Sequence, residues 1–102
     1  MAVGVVLDFE GATLEQYDQV IKLMGLTPGG ATAPGGLFHW VTQTDTGIRV
    51  TDVWDKKEVF EAFAKDQIGP LSAKAGFAGP PQITFYAVHN YQIGRASCRE
   101  RV

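Results

Sequence analysis

His39 and His89 are the two imidazoles of this 102-residue chain, and imidazole is the side chain that takes and returns protons near neutral pH. Arg49, Asp52 and Tyr86 are the other groups nearby in type that can steer charge. A guanidinium can stabilise an enolate or phenolate formed beside it. Phe38, Trp40, Trp54 and Val88 supply apolar, mostly aromatic surface of the kind that surrounds a small hydrophobic ligand. The candidate catalytic set is therefore His39, Arg49, Tyr86 and His89, and the candidate ligand contacts are Phe38, Trp40, Asp52, Trp54 and Val88. The fitting chemistry is activation of an electron-rich phenol toward oxygen, or proton transfer in a cyclisation or isomerisation. His39 leads the set, because a mid-strand histidine between Phe38 and Trp40 must find a polar partner once buried. Trp40 and Trp54 serve equally well as the core of a subunit interface, which leaves a non-catalytic ligand-binding dimer as the third reading. Tyr17 and Tyr91 read as packing residues.

Several other chemistries are excluded. The glycines between Gly25 and Gly36 are not followed by the lysine and hydroxyl that a phosphate-binding loop requires, and neither a nucleophile elbow nor an HExxH pair occurs. A metal would need a third ligand, such as Asp52, on one face with both histidines, so no metal and no cofactor is expected. Nine basic residues against eleven acidic ones give a net charge of −2, which offers no attraction to a nucleic-acid backbone. One cysteine, Cys98, cannot close an internal disulfide. No long uncharged apolar run suggests a membrane span, and a cytoplasmic protein is expected.

The elements that must position these residues follow from periodicity. Val3, Val5, Leu7 and Phe9 alternate as a strand. Thr13-Leu14-Glu15-Gln16 has the form of a capping box, and Leu14, Tyr17, Ile21 and Met24 continue as a helical stripe that Gly25 ends. A loop rich in glycine and proline runs from Leu26 to Gly36. Strands are predicted at Leu37 to Thr44 and Gly47 to Trp54, joined through Asp45-Thr46-Gly47. Asp55 is placed to cap a second helix carrying Val59, Phe60, Phe63 and Ala64, with Gly69-Pro70 breaking or bending it before one more turn at Leu71 to Ala75. A fourth strand is predicted from Gln82 to Tyr91. The order β-α-β-β-α-β gives an α+β, ferredoxin-like fold with a four-stranded antiparallel sheet and both helices on one face.

The hairpin turn decides which residues share a face. With a three-residue turn and Thr44 opposite Ile48, Trp40 faces Asp52 and Phe38 faces Trp54, so that Phe38, Trp40, Val50, Asp52 and Trp54 form one side. Leu37, His39, Val41, Arg49, Thr51 and Val53 then form the other. A two-residue turn shifts the pairing by one and sets His39 across from Asp52. Arg49 and Asp52, three apart on one strand, face opposite sides under either pairing.

Phe38, Trp40, Trp54, Tyr86 and Val88 exceed what an uncovered sheet face leaves in water, and a second copy of the chain is the simplest cover. On Gly36-Leu37-Phe38-His39-Trp40-Val41, Gly47 to Trp54, Val59-Phe60-Glu61-Ala62-Phe63, Ile68-Gly69-Pro70-Leu71 and Val88-His89-Asn90-Tyr91, the chain resembles small bacterial members of the dimeric α/β-barrel superfamily. That superfamily includes antibiotic-biosynthesis monooxygenase-like and stress-responsive barrel proteins. The resemblance covers most of positions 1 to 91. It implies a homodimer whose sheets pack together around a cavity, and a range of activities from cofactor-free oxygenation to polyketide cyclisation, isomerisation and haem degradation. Haem-degrading relatives present a histidine from a helix, and none occurs between Asp55 and Gly76. The reading implied is a cofactor-independent monooxygenase-like enzyme acting on a small hydrophobic molecule.

The stretch Ile93-Gly94-Arg95-Ala96-Ser97-Cys98-Arg99-Glu100-Arg101-Val102 has no apolar period. It resembles the translation of a common sequencing adapter in one frame, with a stop codon directly after Val102. The domain is accordingly read as positions 1–91, with 92–102 an appended, non-native tail expected to be disordered. Without that tail six basic residues stand against ten acidic ones, no cysteine remains and Arg49 is the only arginine.

Overall fold

A computed structural model describes residues 2–93. Four strands form one antiparallel sheet in the order β2-β3-β1-β4. They are β1 (Val3–Glu10), β2 (Gly36–Gln43), β3 (Gly47–Trp54) and β4 (Gln82–Ala87). Between them run α1 (Leu14–Leu23), α2 (Lys57–Phe63) and α3 (Gly69–Lys74), the last two joined by a π-helical turn at Ala64–Ile68. This is the expected βαββαβ arrangement. Of positions 92–102, read above as an appended tail, only Gln92 and Ile93 are described, so the expectation of disorder lies, beyond these two, outside the described residues.

Alternation on the central strand sets the layers. Val5, Leu7 and Phe9 of β1 are buried, as are Ile48, Val50 and Trp54 of β3. These pair in register, Leu7 with Val50 and Phe9 with Ile48, so one sheet face is apolar from strand to strand. Phe60 of α2 is 1% exposed against that face, a burial that contributes about 1.5–3 kcal/mol. Its ring meets Trp54 edge-on at 5.5 Å and Phe85 at 5.8 Å, which are favourable aromatic geometries.

The hairpin takes the two-residue turn. Thr44 donates its amide to the Gly47 carbonyl at 2.8 Å, and Gly47 donates to Thr44 Oγ1 at 3.1 Å, leaving Asp45-Thr46 as the loop. Val41 consequently pairs with Val50 and His39 with Asp52. The three-residue alternative, with Phe38 and Trp40 on the same side as Val50, Asp52 and Trp54, is overturned. Its replacement has a physical cause beyond the turn: Gly11 donates to the Thr46 carbonyl at 2.7 Å, and a side chain at Gly47 would run into the Phe9 carbonyl. The turn is thus held by the end of β1, and only glycine fits there.

Three further boundaries differ from expectation. β4 stops at Ala87, not Tyr91, because Ala87 lies opposite Val3, the first residue of β1, and past that pair the Val88 amide makes only a long bond to the Ala2 carbonyl at 3.4 Å. Asp55 does not cap α2 with its side chain; Lys56 occupies the cap position, and the Asp55 amide donates to the Gly35 carbonyl at 3.0 Å. The helix does not break at Gly69-Pro70. Pro70 cannot donate to the carbonyl four residues back, and the irregularity falls instead on the π turn immediately before it.

Candidate functional site

Between α1, the loop 24–36 and the helix-side face of β2 and β3 lies a cavity of about 1120 Å³. Most of its wall is apolar, including Leu7, Phe9, Val20, Ile48, Val50 and Phe63. A connected polar chain crosses one side.

The chain begins at Asp52, a carboxylate only 5% exposed. Trp54, two residues along β3 and so on the same face, donates its indole N–H to Asp52 Oδ2 at 3.0 Å. Across the hairpin, His39 Nδ1 lies 2.6 Å from Asp52 Oδ1. A carboxylate only accepts, so His39 Nδ1 carries the hydrogen, which leaves Nε2 of the neutral ring free to accept. That second nitrogen meets the Tyr17 hydroxyl at 2.5 Å. Tyr17 and His39 are also stacked, 13° from parallel with ring centres 5.9 Å apart. The result is a hydrogen-bonded series Trp54, Asp52, His39, Tyr17, whose last member lines the cavity.

Local structure explains why Tyr17 arrives there. Thr13 Oγ1 accepts from the Gln16 amide at 3.1 Å, and Gln16 Oε1 accepts from the Thr13 amide at 3.0 Å, completing the predicted capping box. Gln16 also donates to the Gly76 carbonyl at 3.0 Å, tying the start of α1 to the end of α3. Tyr17 follows directly and turns its ring toward β2. Burial, and then the nearby Asp52 and Asp18 carboxylates, push its hydroxyl up to about 12 from 10.0. Tyr17 therefore stays protonated near neutral pH, as a hydroxyl hydrogen-bonded to His39 at the cavity wall.

Of the sequence candidates, His39, Asp52 and Trp54 converge on this cavity. Phe38 and Trp40 border it where β2 forms its wall, yet by register they belong to the opposite face, with Phe38 across from Val53 and Trp40 across from Thr51. Arg49 also lies on that opposite face, paired across the sheet with Asp8. Its Nε donates to Asp8 Oδ1 at 2.7 Å and its Nη2 to Oδ2 at 3.3 Å, and this bonding raises the guanidinium pKa further. Tyr86 shares the same side, exposed on β4, while Val88 and the exposed His89 follow the end of that strand. Neither Arg49, Tyr86, Val88 nor His89 reaches the cavity. Among the described residues no group of three or more histidine, cysteine or acidic side chains could hold a metal ion, and no helix is long and apolar enough to cross a membrane. Tyr17, read as a packing residue, does pack against the core, and its hydroxyl also bonds His39, which pattern alone did not reveal; the signal was a phenolic hydroxyl on an otherwise apolar stripe, which needs a partner when buried.

Known structures share this architecture. An antibiotic biosynthesis monooxygenase candidate from Chloroflexus aurantiacus J-10-fl superposes with a TM-score of 0.59 at 24% identity, covering 92% of this chain and 100% of that one. The chain has the antibiotic biosynthesis monooxygenase-like fold. A Streptomyces coelicolor monooxygenase in complex with the ligand Nanaomycin D shows the same monooxygenase-like fold, with a TM-score of 0.56 at 17% identity over 92% of each chain. A further candidate of this type from Deinococcus radiodurans gives 0.55 at 15% identity, over 94% of this chain and 100% of that one. No protein-family model matches the chain, and no curated protein does. At these identities the likeness establishes the monooxygenase-like fold, and the chemistry rests on the cavity's own residues.

Proposed function

We propose that the cavity binds a small aromatic hydroxy compound and that Tyr17, His39 and Asp52 remove its phenolic proton, as in a cofactor-independent monooxygenase. The observation that carries this reading is the series of hydrogen bonds from buried Asp52 through His39 to Tyr17, ending at the wall of an apolar cavity. A phenol donating to Tyr17 Oη passes its proton on as Tyr17 gives its own hydrogen to His39 Nε2. His39 becomes an imidazolium, which Asp52 stabilises, and the substrate becomes a phenolate held by the Tyr17 hydroxyl. The electron-rich ring then transfers an electron to dioxygen, and the two radicals combine at a ring carbon to give a hydroperoxide. Loss of water, with the proton returned from His39 through Tyr17, leaves a quinone. The balance is one phenol and one dioxygen giving one quinone and one water. The complex of the Streptomyces neighbour with Nanaomycin D supports a monooxygenase reading for this fold.

The same relay would serve a cyclisation or isomerisation, since nothing in it is specific to oxygen. Oxygen-electrode measurements with a panel of phenols and naphthols test the two. Uptake that depends on substrate and equals quinone formation is expected; conversion of the same compounds without uptake would establish proton transfer as the whole reaction.

We further propose that the open face of the sheet packs against a second copy. Phe38, Trp40 and Tyr86 are 41%, 48% and 58% exposed on it, a concentration of aromatic surface that a solvated face does not ordinarily carry. The one ion pair there among the described residues, Arg49 with Asp8, is satisfied within the subunit, so covering the face strands neither charge.

A further inference from the structure

The polar wall at Tyr17 and His39 is one end of the cavity's chemistry. The helix that follows β3 provides a second polar group. Phe63, Ile68 and Ser72 all line the cavity, at spacings of five and then four residues. A regular α-helix advances 3.6 residues per turn and would have carried Phe63 on to Gln67 and then to Leu71. The π turn at Ala64–Ile68 inserts one residue into that register, and the insertion brings Ile68 and Ser72 round to the cavity in their place.

Ser72 is 7% exposed, one of two buried polar or charged residues among the described residues, the other being Asp52 of the relay. Asp52 is fully engaged by His39 and Trp54. Ser72 makes no side-chain hydrogen bond to any described residue, yet no sealed polar side-chain atom is left unpaired. The Ser72 hydroxyl is therefore not sealed off, and Ser72 is among the residues that line the cavity. A hydroxyl in a mostly apolar wall, without a side-chain hydrogen bond to any described residue, favours a ligand that brings a polar atom to it.

We infer that Ser72 is a specificity-determining residue: its hydroxyl binds a second oxygen of the substrate, hydroxyl or carbonyl, besides the phenol that Tyr17 and His39 deprotonate. The inference rests on the reading of the cavity as a phenol site and names the substrate class more narrowly, as an aromatic compound that carries a second oxygen. Pockets that hydrogen-bond a substrate group reject analogues lacking it more strongly than purely apolar pockets do.

The test is calorimetric titration of the full chain with 1-naphthol and 2-naphthol, and with 1,5-, 1,6- and 2,6-dihydroxynaphthalene, which carry the second hydroxyl on the other ring. At least one diol is expected to bind the unaltered protein roughly five- to tenfold more tightly than its parent naphthol, the worth of one hydrogen bond made away from water. In Ser72→Ala that preference disappears while naphthol affinity is unchanged, and in Ser72→Thr it is retained. A diol preference that survives Ser72→Ala overturns the role of Ser72 and leaves the phenol site standing. So does the lack of any diol preference in the unaltered protein when naphthols bind. No saturable binding of any of the five compounds overturns the phenol-site reading and the inference built on it.

Discussion

The Tyr17 hydroxyl and His39 Nε2 lie 2.5 Å apart, joining α1 to β2 across 22 positions of sequence. Because His39 is fixed from behind by Asp52 at 2.6 Å, the only open end of the relay is the Tyr17 oxygen. Removing that oxygen should separate chemistry from binding.

Tyr17→Phe keeps the ring and its stacking on His39 but deletes the relay atom. The expected outcome is a fall in kcat of about a hundredfold or more, the ordinary worth of a positioned proton-transfer group, with KM changed much less. Steady-state oxygen uptake with a naphthol substrate measures both, and the thermal midpoint should move little. Unchanged kcat in this variant would show that the substrate's proton leaves by another route.

Asp52→Asn tests the buried end. The carboxylate accepts from both His39 and the Trp54 indole, whereas an amide offers one oxygen and must point its NH2 at the other donor. Either one donor then loses its partner, at a cost of about 1–3 kcal/mol, or His39 switches tautomer to accept from the amide and no longer offers Tyr17 an acceptor at Nε2. Urea denaturation followed by Trp54 fluorescence checks the loss. Turnover should fall as well, because nothing then stabilises the His39 imidazolium.

The relay shows how far this chain could be read before its structure. Strand alternation and the Thr13 capping box placed the elements, since these patterns are local and physically strong. The pairing of His39 with Asp52 turned on one residue of turn length, and local chemistry around Asp45-Thr46-Gly47 allows both lengths. What decides is tertiary: Gly47 lies against the Phe9 carbonyl, and Gly11 bonds the turn. A slip of one residue exchanges the two faces of a strand, which is why Phe38 and Trp40 were grouped with Asp52 and Trp54. Ser72 was hidden for a related reason. Helical periodicity assumes 3.6 residues per turn, and the π turn before Pro70 changes that count once. Arg49 stands out as the only arginine in positions 1–91, but composition carries no information about facing, and its partner Asp8 stands opposite on β1.

The titration of Tyr17 predicts a pH dependence with a definite sign. Its hydroxyl loses a proton at 10.0 in a free chain and at about 12 in the folded one. Between those values the native state binds more protons than the unfolded state, so stability decreases as pH rises. Below pH 10 the contribution is fully present; through pH 12 it is lost. Denaturation midpoints collected across this window should decline more steeply for the unaltered protein than for Tyr17→Phe, and parallel curves would contradict the burial of this hydroxyl. Half-exposure of the ring reduces the size of the effect but not its direction.

The open sheet face gives the last prediction. Trp40 sits on β2 among Phe38, Val53 and Thr51 by register, and a carboxylate there would meet its symmetry mate's apolar surface if the sheets pack together. Trp40→Glu should therefore yield a monomer, while the unaltered chain runs as a dimer at micromolar concentration in light scattering. The substitution lies on the side of the sheet away from Asp52 and Trp54, so far-ultraviolet circular dichroism should be preserved. A preserved spectrum matters, because it separates a lost interface from a lost fold. An unaltered chain that is monomeric at this concentration would leave Phe38, Trp40 and Tyr86 in water and refute the sheet-to-sheet dimer, without touching the relay on the other face.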